Sequence, residues 1–256
     1  MLNYSFIVPI INNGQQIHRQ LASIPASAAP SILMLIDNSD GKDASVKTYL
    51  AAVTNENYPN LAETRIIIHD ANGNLGCSGG WNFGITHTPG PWIIANSDVF
   101  LNDETPITET LKHLETNDFV ISCWLSLFGM NRSCVDMVGL FDENFWPAYD
   151  EDLDYVTRLS LAKGKIYLFG ANVIHEHSTA IRSDPKLRQL IGKTHGMNDQ
   201  YFIRKWGSKN PNEFVGPQVY GSYTRPFNND KLPLSYWAID EDMMTKKKEL
   251  YKSIMQ

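Results

Sequence analysis

The stretch "RIIIHDANGNLGCSGGWNFGITHTPGPWIIANSDV", Arg65 to Val99, sets two apolar runs around a glycine-rich turn and a helix-like segment. RIIIHD and PWIIANSDV are short, apolar and bounded by turn residues, which predicts strands; Gly79 to Thr86 predicts a helix between them. The same alternation precedes this stretch. YSFIVPI (Tyr4–Ile10) reads as a buried strand, followed by a helix with Ile17, Leu21 and Ile24 spaced by four and three. SILMLIDNSD (Ser31–Asp40) reads as a second strand, and a helix is expected near Asp43 to Val53. Strand and helix alternating at this spacing predict βαβ units, hence an α/β fold whose mainly parallel sheet is covered by helices. Right-handed crossovers gather the C-terminal ends of such strands along one edge, where open α/β sheets bind ligands. Polar residues stand at those ends: Asn12, then Asp37 and Asn38, then Asp70, then Asn96, Ser97 and Asp98.

The second half is less regular. DFVISCWLSLF (Asp118–Phe128) predicts one strand, and RSCVDMVGLFDENF a short helix and turn. Glu151 to Ala162 predicts a helix with Asp154 and Arg158 as an i,i+4 pair. KIYLFGANVIHEHS predicts two short strands, and Asp184 to Trp206 a helix. After Gly207 proline and asparagine become frequent and periodicity weakens, which predicts a wrapping tail over 208–256 ending in one helix.

Length and composition bound the function. A chain of 256 residues, 43% hydrophobic and 20% charged, has the make-up of a soluble globular protein with a substantial core. A net charge of -6 with no stripe of lysine and arginine disfavours nucleic acid as a partner. The basic run Lys246–Lys248 reads as the solvated face of a helix. Three cysteines without a CxxC pair point to reduced thiols and a cytoplasmic compartment. No apolar window reaches the length of a membrane span, so any membrane contact is expected to be peripheral.

Four groups of residues bear chemistry. The glycine-rich stretch lacks the Gly-Lys-Ser/Thr of a phosphate loop and the GxGxxG spacing. It reads either as a tight strand-to-helix connection or as backbone brought close to a ligand. Asp98, at the sheet edge, is placed for a divalent cation bridging to a diphosphate, although a lone Asp at a strand end is also an ordinary turn residue. His175 and His177, in VIHEHS, are i,i+2 on an expected strand and so share a face. A carboxylate with one or two imidazoles suits Mn²⁺, less typically Mg²⁺. Finally YDEDLDY, Tyr149 to Tyr155, crowds four acids at a helix start, where the helix dipole alone would stabilise them.

Taken together and in order, these segments resemble the family 2 glycosyltransferases of the GT-A fold, particularly the rhamnosyltransferase-like branch. The resemblance rests on FIVPIIN, DNSDG, NLGCSGGWNFGI, IIANSDV, VGLFDENFWPAYDEDLDYVTRLSLAKG, VIHEHS and YFIRKWG, within residues 4 to 207. It implies a GT-A (Rossmann-like) fold with a mainly parallel mixed central sheet flanked by helices. The implied transferase domain spans 1–207, with a nucleotide-sugar half over about 1–100 and an acceptor half over about 101–207.

Site residues follow position by position. Pro9, Ile10, Asn12, Asp37, Asn82, Asn96 and Ser97 would surround the nucleotide-sugar, with Asp37 hydrogen-bonding the base. Asp98 matches the last Asp of the family's DxD motif, whose first Asp is here Asn96, and would bind Mn²⁺ or Mg²⁺ with His175, His177 being the alternate. Asp152, the second residue of a Glu-Asp pair, matches the catalytic base. Glu151 and Asp150 would help to orient the acceptor. Trp146 and Tyr149 would stack on a sugar ring or serve as core aromatics.

The implied reaction is metal-assisted, inverting transfer from a UDP- or dTDP-linked sugar, GDP-linked sugars being less favoured, to a glycan, polysaccharide or glycolipid hydroxyl. The alternatives are an inactive nucleotide- or sugar-binding module and a nucleotidyltransferase, for which PIINNGQQIHRQ makes a poor phosphate loop.

Overall fold

A computed structural model of the chain describes residues 2–210 and 239–255. The first apolar run forms β1 (Leu2–Ile10), a central strand of a seven-stranded sheet. β1 pairs in parallel with β2 (Pro30–Asp37) on one side and β4 (Trp92–Ala95) on the other, and β2 with β3 (Arg65–Asp70). β1, β2 and β4 read as continuous apolar runs because they are largely buried on both faces, whereas β3, at the sheet edge, is half-buried to exposed along its length. Pro9 is tolerated inside a central strand for a local reason. Ile10 accepts a hydrogen bond from Asn38 N–H on the β2 side, so by alternation Pro9 faces β4, whose pairing has already stopped at Ile7↔Ile94.

Helices α1 (Gly14–Ser23), α2 (Ala44–Ala51) and α3 (Gly76–His87) connect these strands. Ile17 and Leu21 bury one face of α1, as their spacing predicts. Asp43 caps α2 by accepting from Ser45 N at 2.8 Å and also takes the Asn13 amide at 2.9 Å, tying α2 to the loop after β1. α3 begins three residues earlier than expected. A Cβ on Gly84 would stand 2.4 Å from Ile7 Cγ2, and one on Gly80 2.9 Å from Pro9 Cβ. Close packing of helix on strand therefore accounts for these two glycines.

The expected single strand over Asp118–Phe128 is instead a hairpin, β6 (Phe119–Cys123) with β7 (Leu127–Met130), and its antiparallel register includes Phe119↔Met130. The chain reverses at Trp124, which has a positive φ of 43° and is 80% exposed. An aromatic turn residue without Gly or Asn gave no local signal of the reversal. The sheet is thus mixed, in the order β3-β2-β1-β4-β7-β6-β8, with β8 (Ile166–Leu168) parallel to β6. β5 (Val99–Leu101) and β9 (Val173–His175) form a separate two-stranded antiparallel sheet, and α4 (Thr105–Leu114) covers β6 and β7.

The chain divides into two compact units. One comprises the described residues within Met1–Leu75, Gly80–Arg132 and Lys165–Ala180, and holds both sheets. The other comprises those within Gly76–Gly79, Ser133–Gly164 and Ile181–Gln256. Its main elements are α5 (Arg132–Val138), a 3-10 turn at Glu143–Phe145, α6 (Glu151–Leu161), α8 (Pro185–Trp206) and α9 (Glu241–Met255), with short α7 (Thr179–Ser183) at the boundary in sequence. Phe145, Tyr201, Phe202, Trp206 and Met243 form its core. The expected terminal helix is α9; residues 211–238 of the expected wrapping tail lie outside the described residues.

Candidate active site

In the first unit, the strand ends bring the expected donor-side residues to one edge. The β2 end, Asp37, is in register with Ile10 of β1 and Asp70 of β3. Asp37 folds back to accept Ser39 N–H at 2.9 Å. Asn12 is buried; its Nδ2 donates to the Ala180 carbonyl at 2.8 Å, while its Oδ1 has no hydrogen-bond partner among the described residues. Ser39 Oγ is in the same condition. Ile10 is fully buried, and its carbonyl accepts the Asn38 N–H at 2.7 Å. Asn82 is buried on α3.

The turn Asn96–Asp98 is held from α1: Gln20 Nε2 donates to the carbonyls of Asn96 at 2.7 Å and Val99 at 3.0 Å. Ser97 and Asp98 are buried there. Asp98 Oδ1 lies 3.5 Å from His175 Nε2, and its Oδ2 accepts Thr179 N–H at 3.2 Å. Burial opposes ionisation of Asp98, but the His175 hydrogen bond and the Thr179 amide outweigh it and hold the carboxyl below its ordinary value. β9 ends at His175, so His177 is not its strand neighbour as expected; it follows in a left-handed conformation, φ 46°. The two rings are nevertheless close, with centroids 4.3 Å apart, and His177 is exposed.

In the second unit, the acids of YDEDLDY have different partners. Asp154 is fully buried and bonds Arg158 Nε at 2.9 Å, Lys205 Nζ at 2.7 Å and Trp206 Nε1 at 2.9 Å. Burial disfavours its charge, but Lys205 and Arg158 outweigh burial and pull the carboxyl below its ordinary value. Lys205 also reaches Asp142, at 2.6 Å, and Tyr201 donates to that carboxylate at 2.8 Å. Asp154 is therefore a structural acid. Asp150 is paired with Lys209 at 3.0 Å, and burial still raises its carboxyl. Asp150, His195 and Asp199 are the one group of three or more His, Cys, Asp or Glu side chains among the described residues with donor atoms all within 4.8 Å of one another. The Lys209 ammonium, bonded to Asp150 and Asp199, supplies the cation there.

Glu151 and Asp152 remain. Glu151 is buried, with Oε2 unpartnered among the described residues, and burial followed by the adjacent Asp152 charge pushes its carboxyl well above the ordinary value. The Cys77 thiol hydrogen-bonds it and is itself pushed up, by burial and by the charges of Glu151 and Asp152. The Cys77 backbone N–H donates to Pro147 O at 2.8 Å. Asp152 is raised by burial, against the Leu153 amide that it accepts at 2.7 Å. No Lys or Arg pairs with Asp152 among the described residues.

The structure separates the two aromatics expected to stack on sugar. Trp146 is only 5% exposed and packs edge-on against Tyr251, so its role is that of a core aromatic. Tyr149 is 37% exposed, and its ring lies beside that of His195, with centroids 5.1 Å apart. The solvated basic face expected at Lys246–Lys248 also needs correction: Lys246 and Lys248 are exposed, but Lys247 has no exposed surface.

This architecture is the GT-A fold, and solved structures share it. The mannosyltransferase PcManGT from Pyrobaculum calidifontis, solved with GDP-Man and Mn²⁺, matches with a TM-score of 0.56 at 15% identity, covering 86% of this chain and 68% of that one. S. aureus TarS 1-349 matches at 0.53 with 14% identity, covering 67% and 60% of the two chains. Glucosyl-3-phosphoglycerate synthase from Mycobacterium tuberculosis, solved with Mg²⁺ and UDP, matches at 0.51 with 12% identity, covering 80% of each. At these identities the likeness establishes the fold. Among curated proteins, a galactofuranosyl glycosyltransferase of Leishmania donovani is 30% identical over 137 residues, 46% of this chain. The chain spans 30% of the length of that relative. No family model matches the sequence. No described helix is long and apolar enough to cross a membrane.

Proposed function

We propose that this protein transfers a sugar, with inversion, from a nucleoside-diphosphate donor to a hydroxyl of a glycan, polysaccharide or glycolipid, as a family 2 glycosyltransferase of the rhamnosyltransferase-like branch. The observation that carries the reading is the sorting of acids around α6. Asp154 is committed to Arg158 and Lys205, and Asp150 to Lys209, which leaves Asp152 with a raised pKa and no cationic partner among the described residues. A carboxylate raised toward neutrality is a better proton acceptor than an exposed one.

Asp152 accepts the proton of the acceptor hydroxyl as that oxygen attacks the anomeric carbon. The bond from anomeric carbon to diphosphate breaks in the same displacement, and its electron pair leaves with the nucleoside diphosphate. One displacement inverts the carbon and leaves the proton on Asp152. Glu151, driven toward its neutral form, keeps a second negative charge from building up beside the base.

On the donor side, Asp37 is assigned to the base, and Pro9, Asn12, Asn82, Asn96 and Ser97 to the nucleotide, with Ile10 contributing shape. Asn12 Oδ1 and Ser39 Oγ, buried polar atoms without partners among the described residues, fit a ligand that hydrogen-bonds at this edge. Asp98 and His175 are assigned to Mn²⁺ or Mg²⁺, with His177 as alternate. A buried carboxylate facing an imidazole fits such an ion, and a two-residue donor set suits a cation that also takes phosphate oxygens and water. When bound, the ion supplies positive charge for the departing diphosphate. UDP- and dTDP-sugars are the donors to test first. The relative named for galactofuranosyl transfer adds that sugar to the panel, and GDP-Man in PcManGT adds GDP-sugars. Three free cysteines support a cytoplasmic setting.

A thermal-shift titration with UDP, dTDP, GDP and CMP, each with and without Mn²⁺, tests the donor side. A ligand at a hundred times its dissociation constant adds about 2.7 kcal/mol of apparent stability. A shift with one diphosphate that grows with Mn²⁺ supports the reading. No shift with any nucleotide in a folded sample contradicts it and leaves an inactive module as the better account.

A further inference from the structure

Lys247 is the buried member of an otherwise solvated basic run on α9. Its Nζ donates to the Asn144 carbonyl at 2.5 Å and to Asn198 Oδ1. Asn198, on α8, is fully buried as well. Its Nδ2, with two N–H groups, is shared among three carbonyls of one loop: Phe145 at 2.8 Å, Ala148 at 2.8 Å and Tyr149 at 3.0 Å. At the start of α9, Asp240 N–H donates to Asn144 Oδ1 at 2.7 Å. One ammonium and one carboxamide thus fix the backbone from Asn144 to Tyr149.

That loop needs such fixing. Tyr149 and Asp150 are consecutive non-glycine residues in the left-handed region, with φ of 77° and 73°. Strain of this kind persists only where the surroundings over-determine it. The residues that follow at once are Glu151 and Asp152, on the first turn of α6. The direction in which Asp152 leaves the loop is set by the strained pair before it.

We infer that Lys247 and Asn198 form a clamp that positions the base Asp152, which makes Lys247 of the terminal helix a positioning residue for transfer. The proposal rests on Asp152 acting as the base. Burial pulls Lys247 down to about 8, against the opposing charges of Asp142, Asp240, Glu151 and Asp150, so the ammonium is held there at a cost in stability. Lys247→Met keeps most of the side-chain volume but leaves the Asn144 carbonyl and Asn198 Oδ1 without their donor, so its folding is measured first and the exchange and kinetic readouts separate positioning from general stability.

Lys247→Met and Asn198→Asp in the full chain test the clamp. Asn198→Asp keeps an acceptor for Lys247 but removes the donor to the three carbonyls. Hydrogen exchange of peptides spanning 145–152 should speed by tenfold or more in both variants, while peptides from β1 and β2 stay unchanged. With a competent donor and acceptor, kcat should fall by tenfold or more with the donor KM within twofold. If Lys247→Met does not fold, Asn198→Asp decides. Unchanged exchange over 145–152 in a folded variant overturns the clamp, as does a failure of both variants to fold, which would leave only a general structural role. A wild-type protein that transfers no sugar overturns the functional reading instead, and the exchange result still decides the clamp.

Discussion

Asp98 Oδ1 stands 3.5 Å from His175 Nε2, joined by the pairing of β5 with β9, in which Val99 is in register with His175. The carboxylate is fixed by a turn held from α1, the imidazole is delivered by a short antiparallel strand, and these are the two residues proposed above to hold Mn²⁺ or Mg²⁺. Asp98→Ala is expected to weaken nucleoside-diphosphate binding in Mn²⁺ by tenfold or more, about 1.4 kcal/mol, and to leave metal-free binding unchanged. Calorimetric titration with and without Mn²⁺ checks this. Equal weakening in both conditions would argue against ligation.

The acids of α6 should differ in stability as they differ in partners. Asp154→Ala removes the carboxylate that pairs with buried Arg158 and leaves Lys205 with Asp142 alone, and breaking a buried charge pair in this way costs about 3–5 kcal/mol. Asp152→Asn removes no such partner and should leave the urea midpoint close to the wild-type value. Similar midpoints for the two variants would refute the division into structural and chemical acids.

Glu151 gives a pH-dependent prediction. Its folded-state carboxyl is raised well above 4.5, so the folded protein holds a proton that the unfolded chain releases as pH rises. Stability therefore falls with rising pH from about the unfolded carboxylate value upward. Glu151→Gln should raise the melting temperature at pH 8 and make little difference near pH 4. A gain independent of pH would mean that Glu151 is not the source of the titration.

Much of the sheet was legible because its signals are local. The runs at Tyr4, Ser31, Arg65 and Trp92 are apolar on both faces, and the spacing of Ile17 and Leu21 marks the buried face of α1. The reversal at Trp124 was not legible, since an aromatic turn inside a strand-like run carries no breaker. The sorting of the acids was hidden for a different reason. Asp154 is claimed by Trp206, 52 residues away, and Asp150 by Lys209, 59 residues away. A lysine in a basic run likewise has the same local pattern whether it faces water, as Lys246 does, or Asn198, as Lys247 does.

The glycines of α3 make a packing prediction. Gly84→Ala would bring a Cβ against Ile7 and overpack the contact with β1, and overpacking of this kind costs about 1–3 kcal/mol. Gly192→Ala, on α8, would meet nothing within 4 Å and serves as the comparison. A Gly84→Ala midpoint equal to the wild type would show that α3 can shift without cost.

The most direct measurement of the central claim is single-turnover transfer by Asp152→Asn, with diphosphate binding measured on the same sample. Asparagine keeps the shape of the side chain and cannot accept the acceptor proton as a carboxylate does. The expected result is a loss of transfer by at least a thousandfold with the nucleotide dissociation constant within twofold of wild type. Ordinary turnover by this variant would contradict the assignment of Asp152 as the base.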